Sequence, residues 1–108
     1  MEIPTLKKLL QDGEGLTVEF KKNSQQLNNS VFETISSFSN RYGGHIFLGV
    51  DDDGTILGVQ PAAVHGMKMN FANLLNNPLK VSPSMYLTLE EIRIDDKVIL
   101  HTYVPEGS

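Results

Sequence analysis

Apolar residues recur along this chain at two periods, and each change of period marks an element. Ile3, Leu6, Leu9 and Leu10 have helical spacing, Pro4 suits a first helical turn, and Gly13 is placed to stop the helix. From Leu16 to Lys22 the period drops to two. Val18 and Phe20 share one strand face, and Thr17, Glu19 and Lys21 share the other. The polar stretch Asn23 to Asn29 reads as a loop. Ser30 and Glu33 then stand three apart in the capping-box pattern, and Val31, Ile35, Phe38 and Tyr42 form one helical stripe that Gly43-Gly44 ends.

His45 to Asp51 is apolar on both faces at its centre, as in an interior strand. Asp53-Gly54 is a turn signal, because glycine accepts the positive φ such turns require. Thr55 to Val59 is expected to return as the paired strand. A helix over Ala62 to Asn76 follows, weakened by Gly66 and ended before Pro78. Tyr86 to Ile94 and Lys97 to Val104 form a second hairpin around Asp95-Asp96. Leu87 and Leu89 alternate out of phase with Ile92 and Ile94, so a β-bulge near Glu90-Glu91 is expected. The sum is an α+β domain: a single mixed, largely antiparallel sheet with two or three helices.

Composition narrows the class. The chain has 108 residues, enough for one domain, with 40% hydrophobic and 20% charged residues, an ordinary globular balance. There is no cysteine, which excludes disulfides and thiolate metal sites and fits a reducing, cytoplasmic compartment. No apolar run approaches the ~20 residues of a membrane helix, and no signal peptide is recognisable. The formal charge is −4, so any contact with nucleic acid must come from a local basic patch. The last residues, Glu106 to Ser108, follow directly on the last strand. Residues 1–108 are therefore expected to be one domain from the N-terminus of a longer protein.

Candidate chemistry starts with carboxylates. Glu14 lies before the first strand, Glu19 on its polar face, and Asp51 at the end of the interior strand. If those strands are neighbours, the three acids converge, and clustered carboxylates are usual ligands for Mg²⁺ or Mn²⁺. A solvated strand and a turn account for the same acids more simply, and spacing alone favours that account over a metal site. Lys21, Lys22 and Arg41 are the candidate phosphate contacts; Arg41 also suits a helix C-terminus. Gly43-Gly44 offers backbone N–H groups but is explained by a helix stop, and no nucleotide-binding glycine motif is present. His45, His65 and His101 lack zinc-motif spacing. Tyr86 and Tyr103 are the aromatics that fall outside the core pattern.

Several segments in order resemble the Schlafen-type AlbA-like domain: EGLTVEFK from Glu14 to Lys21, ISSFSN from Ile35 to Asn40, Gly43-Gly44, LGVDDDG from Leu48 to Gly54, Gly58-Val59 and VPEG from Val104 to Gly107. The resemblance spans nearly the whole chain. Ser37 and Ser39 stand where alanines are usual, Arg41-Tyr42 where threonine-glutamate is usual, and Gly15 where serine is frequent. None of these departures removes a carboxylate.

The resemblance implies a DNA-binding module of predicted bacterial transcriptional regulators, with Lys21, Lys22 and Arg41 on phosphate. It equally implies an alternative, a divalent-metal-dependent endoribonuclease, in which Glu14, Glu19 and Asp51 would form the catalytic and metal-binding triad for Mg²⁺ or Mn²⁺. A third reading is an oligomerisation or protein-interaction module. A homodimer would double a modest basic patch.

Overall fold

The computed structural model describes residues 1–76 and 86–107. Helix α1 (Ile3–Asp12) is followed by strand β1 (Val18–Lys21), helix α2 (Asn29–Ser39) and strand β2 (Gly44–Leu48). A single 3₁₀ turn (Pro61–Ala63) leads into α3 (Val64–Leu75), and β3 (Glu90–Ile94) and β4 (Lys97–Val104) close the chain. The sheet order is β1-β2-β4-β3. β1 and β2 are parallel, joined through α2 as a parallel pair requires, and the other two pairings are antiparallel. The architecture is the α+β fold with one mixed, largely antiparallel sheet that the hydrophobic pattern predicts.

Both faces of the sheet are covered. Leu6 and Leu10 of α1 close one face over Val18, Phe20, Phe47, Ile92, Ile94 and Ile99. On the other, α2 and α3 bring Val31, Phe32, Ile35, Phe38, Met67, Phe71 and Leu75 against Ile46, Leu48, Val98, Leu100 and Val104. Each such aliphatic or aromatic side chain contributes roughly 1.5–3 kcal/mol by leaving water.

Double coverage explains one departure from the sequence reading. No bulge forms near Glu90-Glu91, since β3 pairs with β4 in unbroken register from Glu90 to Ile94. Leu89 is buried on the α2–α3 side while Ile92 and Ile94 are buried on the α1 side, so simple alternation serves both sets. The strand also begins at Glu90 rather than Tyr86. Thr55 to Val59 does not return as a strand: only an isolated Val50–Ile56 bridge forms. β2 already has β1 and β4 on its two edges and has none left to offer. The amides of Leu57 and Gly58 both donate to the Gly49 carbonyl, and Val59 N–H goes instead to Val98.

Further boundaries move. The cap of α2 is Asn28, whose carboxamide oxygen accepts the Ser30 N–H at 3.1 Å, so Ser30 and Glu33 form no capping box. The helix ends at Ser39, three residues before Tyr42, and Tyr42 is 66% exposed rather than part of the buried stripe. β2 likewise stops at Leu48, short of Asp51. α3 ends at Leu75, and Pro78, the expected stop, lies outside the described residues. The second hairpin turns at Asp95-Asp96 as expected, both with positive φ, which a two-residue turn of matching twist demands. Among the described residues no helix is long and apolar enough to cross a membrane.

Candidate nucleic-acid interface

β1 is an edge strand, and the chain leading into it folds back to satisfy its outward groups. Gly15 N–H donates to the Val18 carbonyl at 3.0 Å, and the Glu14 carboxylate accepts the Phe20 N–H at 2.9 Å. An unpaired strand edge would otherwise template association. Glu14 therefore has a backbone task that its sequence position does not reveal. It also stands beside Glu19. Burial lifts Glu19 above the ordinary carboxylate range, the Glu14 charge lifts it further, and Lys21, 3.9 Å away, pulls the other way; the Asp52 charge also raises it.

The sign of this shift gives a prediction. A carboxylate raised by folding costs stability once ionised, and the cost disappears when both states are protonated, below the ordinary value of 4.5. Glu19→Gln is expected to raise the melting temperature at pH 7, with the gain shrinking as the pH falls through the raised value of the folded protein and gone below 4.5. Thermal melts across the range check it; a destabilised variant at pH 7 would contradict it.

Asp51 does not join this pair. Its carboxylate lies 3.4 Å from Lys22 and accepts the Asp52 N–H at 2.8 Å. Asp53 accepts the Thr55 N–H at 2.9 Å; the Thr55 hydroxyl first and that N–H second hold its carboxyl below the usual range, and Gly54 takes φ +89°, so these two residues make the turn. Of the three aspartates it is the Asp52 charge that bears on Glu19. Among the described residues no three His, Asp or Glu side chains are grouped to hold a metal ion. Glu14 and Glu19 alone do not complete the oxygen set that Mg²⁺ or Mn²⁺ takes from a carboxylate site.

The basic residues divide between the two ends of β1. Lys21 and Lys22, at its C-terminal end, line a hollow of about 580 Å³ together with Phe20, the amide side chains of Asn23, Gln25, Gln26 and Asn28, Ser24, Ser30 and Asp52. The Lys21 side chain is mostly buried and its ammonium donates to Ser30 Oγ at 3.2 Å; the Lys22 side chain is well exposed. α2 starts at this hollow, adding its partial positive charge. Arg41 precedes β2 and lies at the opposite end of the parallel pair, where Leu16, Asn40, Arg41 and Tyr42 line a second hollow of about 480 Å³. Four residue steps along β2 separate the ends, roughly 13 Å of strand.

Two histidines that look isolated in sequence meet in space. His45 Nδ1 and His101 Nε2 are 2.9 Å apart, and His101 Nδ1 lies 3.2 Å from Glu90. They are diagonal neighbours on the α1 face of β2 and β4, a relation that only the strand register discloses. Burial lowers both imidazoles below their ordinary range, and they stack on Phe47 as part of the packing.

The fold and this edge define an α+β domain with two hollows at the ends of an edge strand, one mainly polar and one walled by Leu16 and Tyr42. The chain belongs to the Schlafen, AlbA_2 family, which it matches over residues 14–108, leaving α1 before the matched segment. It is similar in structure to the N-terminal domain of a protein related to the ATP-dependent DNA helicase RecG, from Nitrosomonas europaea. The identity is 26% and the TM-score 0.70, over 95% of this chain and 74% of that one. No significant match occurs among curated proteins.

Proposed function

We propose that this domain binds nucleic acid through phosphate, with DNA as its ligand, as the DNA-contacting part of a larger transcriptional regulator. The observation that carries the reading is the hollow at the end of β1. Two lysines, four amide side chains and the start of a helix converge there, against a single lining acid, Asp52. Ammonium groups, neutral N–H donors and helix starts are what phosphate oxygens accept from. In a chain of net charge −4 this local grouping is what a polyanion would seek. Family membership and the name of the structural neighbour agree with the reading.

The test is the salt dependence of DNA binding by Lys22→Glu and by Lys21→Glu/Lys22→Glu. Lys22 is exposed, so the single variant tests binding without disturbing the fold. The double variant is expected to lose roughly 10- to 100-fold in affinity, and the slope of log K against log salt should fall by about 2. Unchanged affinity and slope would remove the hollow from the interface. A stable dimer that binds neither DNA nor RNA at low salt would make the domain an assembly module instead.

A second reading, a metal-dependent endoribonuclease, is favoured by one observation, the placing of Glu14 beside Glu19, where burial and the neighbouring charge disfavour the ionised form of Glu19. It requires a further acid, Asp51 or Asp52, to join that pair. In that case Mn²⁺ should raise the melting temperature of the wild type but not of Glu19→Gln, and Mn²⁺-dependent cleavage of tRNA should vanish in that variant. Intact RNA with no thermal shift leaves Glu14 as the cap of the β1 edge.

A further inference from the structure

Most large apolar side chains of this domain are inside. Leu16 and Tyr42 are not: they are 67% and 66% exposed, and they line one hollow with Asn40 and Arg41. A single exposed apolar residue needs no explanation, but two on the walls of one concavity beside a cation do. Among the described residues Arg41 has no carboxylate partner, although the chain carries an excess of acids. The hollow thus offers an aromatic face, an aliphatic wall, a carboxamide and an available guanidinium.

We propose that this hollow is a base-binding subsite for single-stranded nucleic acid, in which a nucleobase stacks on Tyr42 against Leu16. Asn40 meets the base edge, and Arg41 meets the adjoining phosphate or the base face. The inference rests on the nucleic-acid reading above and extends it, because phosphate contacts alone do not distinguish single strands from duplex. An anionic partner is required by Arg41, and a flat apolar group by Tyr42 and Leu16; a strand with unstacked bases supplies both.

The walls are held in place before any ligand arrives. The Arg41 N–H donates to the Phe38 carbonyl at 3.1 Å and the Gly43 N–H to the same oxygen at 2.7 Å, so the backbone is fixed on both sides of Tyr42. Gly15 N–H and the Thr17 carbonyl are likewise paired, to Val18 and His45, on either side of Leu16. Little backbone ordering remains to be done on binding. The two hollows flank opposite ends of the same edge strand, a separation that a few nucleotides of extended strand can bridge.

The experiment compares a thymidine 12-mer with an abasic 12-mer of equal phosphate count, by fluorescence anisotropy. The wild type is expected to prefer the thymidine strand roughly 5- to 100-fold, from one stacked base. Tyr42→Ala should abolish that preference while leaving the abasic affinity unchanged, and Tyr42→Phe should keep it. Equal wild-type affinity for both strands, or a preference that survives Tyr42→Ala, overturns the subsite. If Lys22→Glu still weakens both strands in that case, phosphate binding stands and only the stacking proposal falls. If the wild type binds neither strand, both fall together. Self-association that Tyr42→Ala abolishes would instead make the hollow a contact between copies of the chain.

Discussion

Phe47→Ala is expected to destabilise this domain by roughly 3–5 kcal/mol, a large share of the ~5–15 kcal/mol that holds a domain of this size folded. Phe47 has no exposed surface and lies in β2, an interior strand, on the face that α1 closes. Its ring meets Phe20 at 6.2 Å, His45 at 6.1 Å and His101 at 4.9 Å between centroids. Truncation removes the apolar area and leaves a cavity whose walls belong to three strands and a helix, which cannot all collapse inward. It also strips the apolar cover from two imidazoles that are held below their ordinary range by burial. Urea denaturation checks this, read as a lowered midpoint at constant slope. A loss under about 1 kcal/mol would mean that α1 does not close that face in solution.

The sequence made most of this fold legible because the core alternates cleanly. Val18 and Phe20 against Glu19 and Lys21, and the Ile46-Phe47-Leu48 run, set the faces of β1 and the interior place of β2 without help from tertiary structure. What misled was one-sided reasoning. A bulge is needed near Glu90-Glu91 only if a single face is buried, and here Leu89 and Ile92 find cores on opposite sides. Thr55 to Val59 has strand chemistry, but strand pairing depends on a vacant edge, which is a property of the whole sheet. Tyr42 kept helical phase with Val31, Ile35 and Phe38, yet the helix had already ended at Ser39; phase says nothing once the backbone leaves the helix.

The site was legible in part, for a related reason. Residues adjacent in sequence, such as Lys21 and Lys22, come together at one strand end, whereas Arg41 is carried to the other end by the parallel crossover. Glu14 and Glu19 stand side by side, but Asp51 pairs with Lys22 instead of completing the expected trio. The hydrogen bond from Phe20 to Glu14 depends on β1 being an edge, and no local pattern announces that. The pairing of Tyr42 with Leu16 was hidden twice, once by the helical stripe and once by the distance between the two residues along the chain.

Gly43 is where the fold and the second hollow depend on the same atoms. Its φ of +76° is a conformation that side-chain-bearing residues rarely adopt. A methyl group there would lie 2.5 Å from the Val104 carbonyl oxygen, 2.9 Å from the Glu106 nitrogen and 3.2 Å from the Pro105 carbonyl carbon, all of them backbone. No rotamer change relieves such contacts; the end of β4 has to move away from the start of β2. Gly43→Ala is therefore expected to cost about 1–3 kcal/mol for the backbone conformation, and about 1–3 kcal/mol more for the displaced strand end. The displacement has its own signature, because Gly107 N–H donates to the Ser39 carbonyl at 2.8 Å just beyond the strand. That amide should lose its hydrogen-exchange protection in the variant even where β2 and β4 stay paired at their centres. The Gly43 N–H also fixes the backbone after Tyr42, so the preference for a base-bearing strand should weaken along with stability. A variant of unchanged midpoint with Gly107 still protected would show that the chain does not turn at Gly43 as described. It would also detach Tyr42 from the rigid frame that makes its ring a preorganised stacking surface.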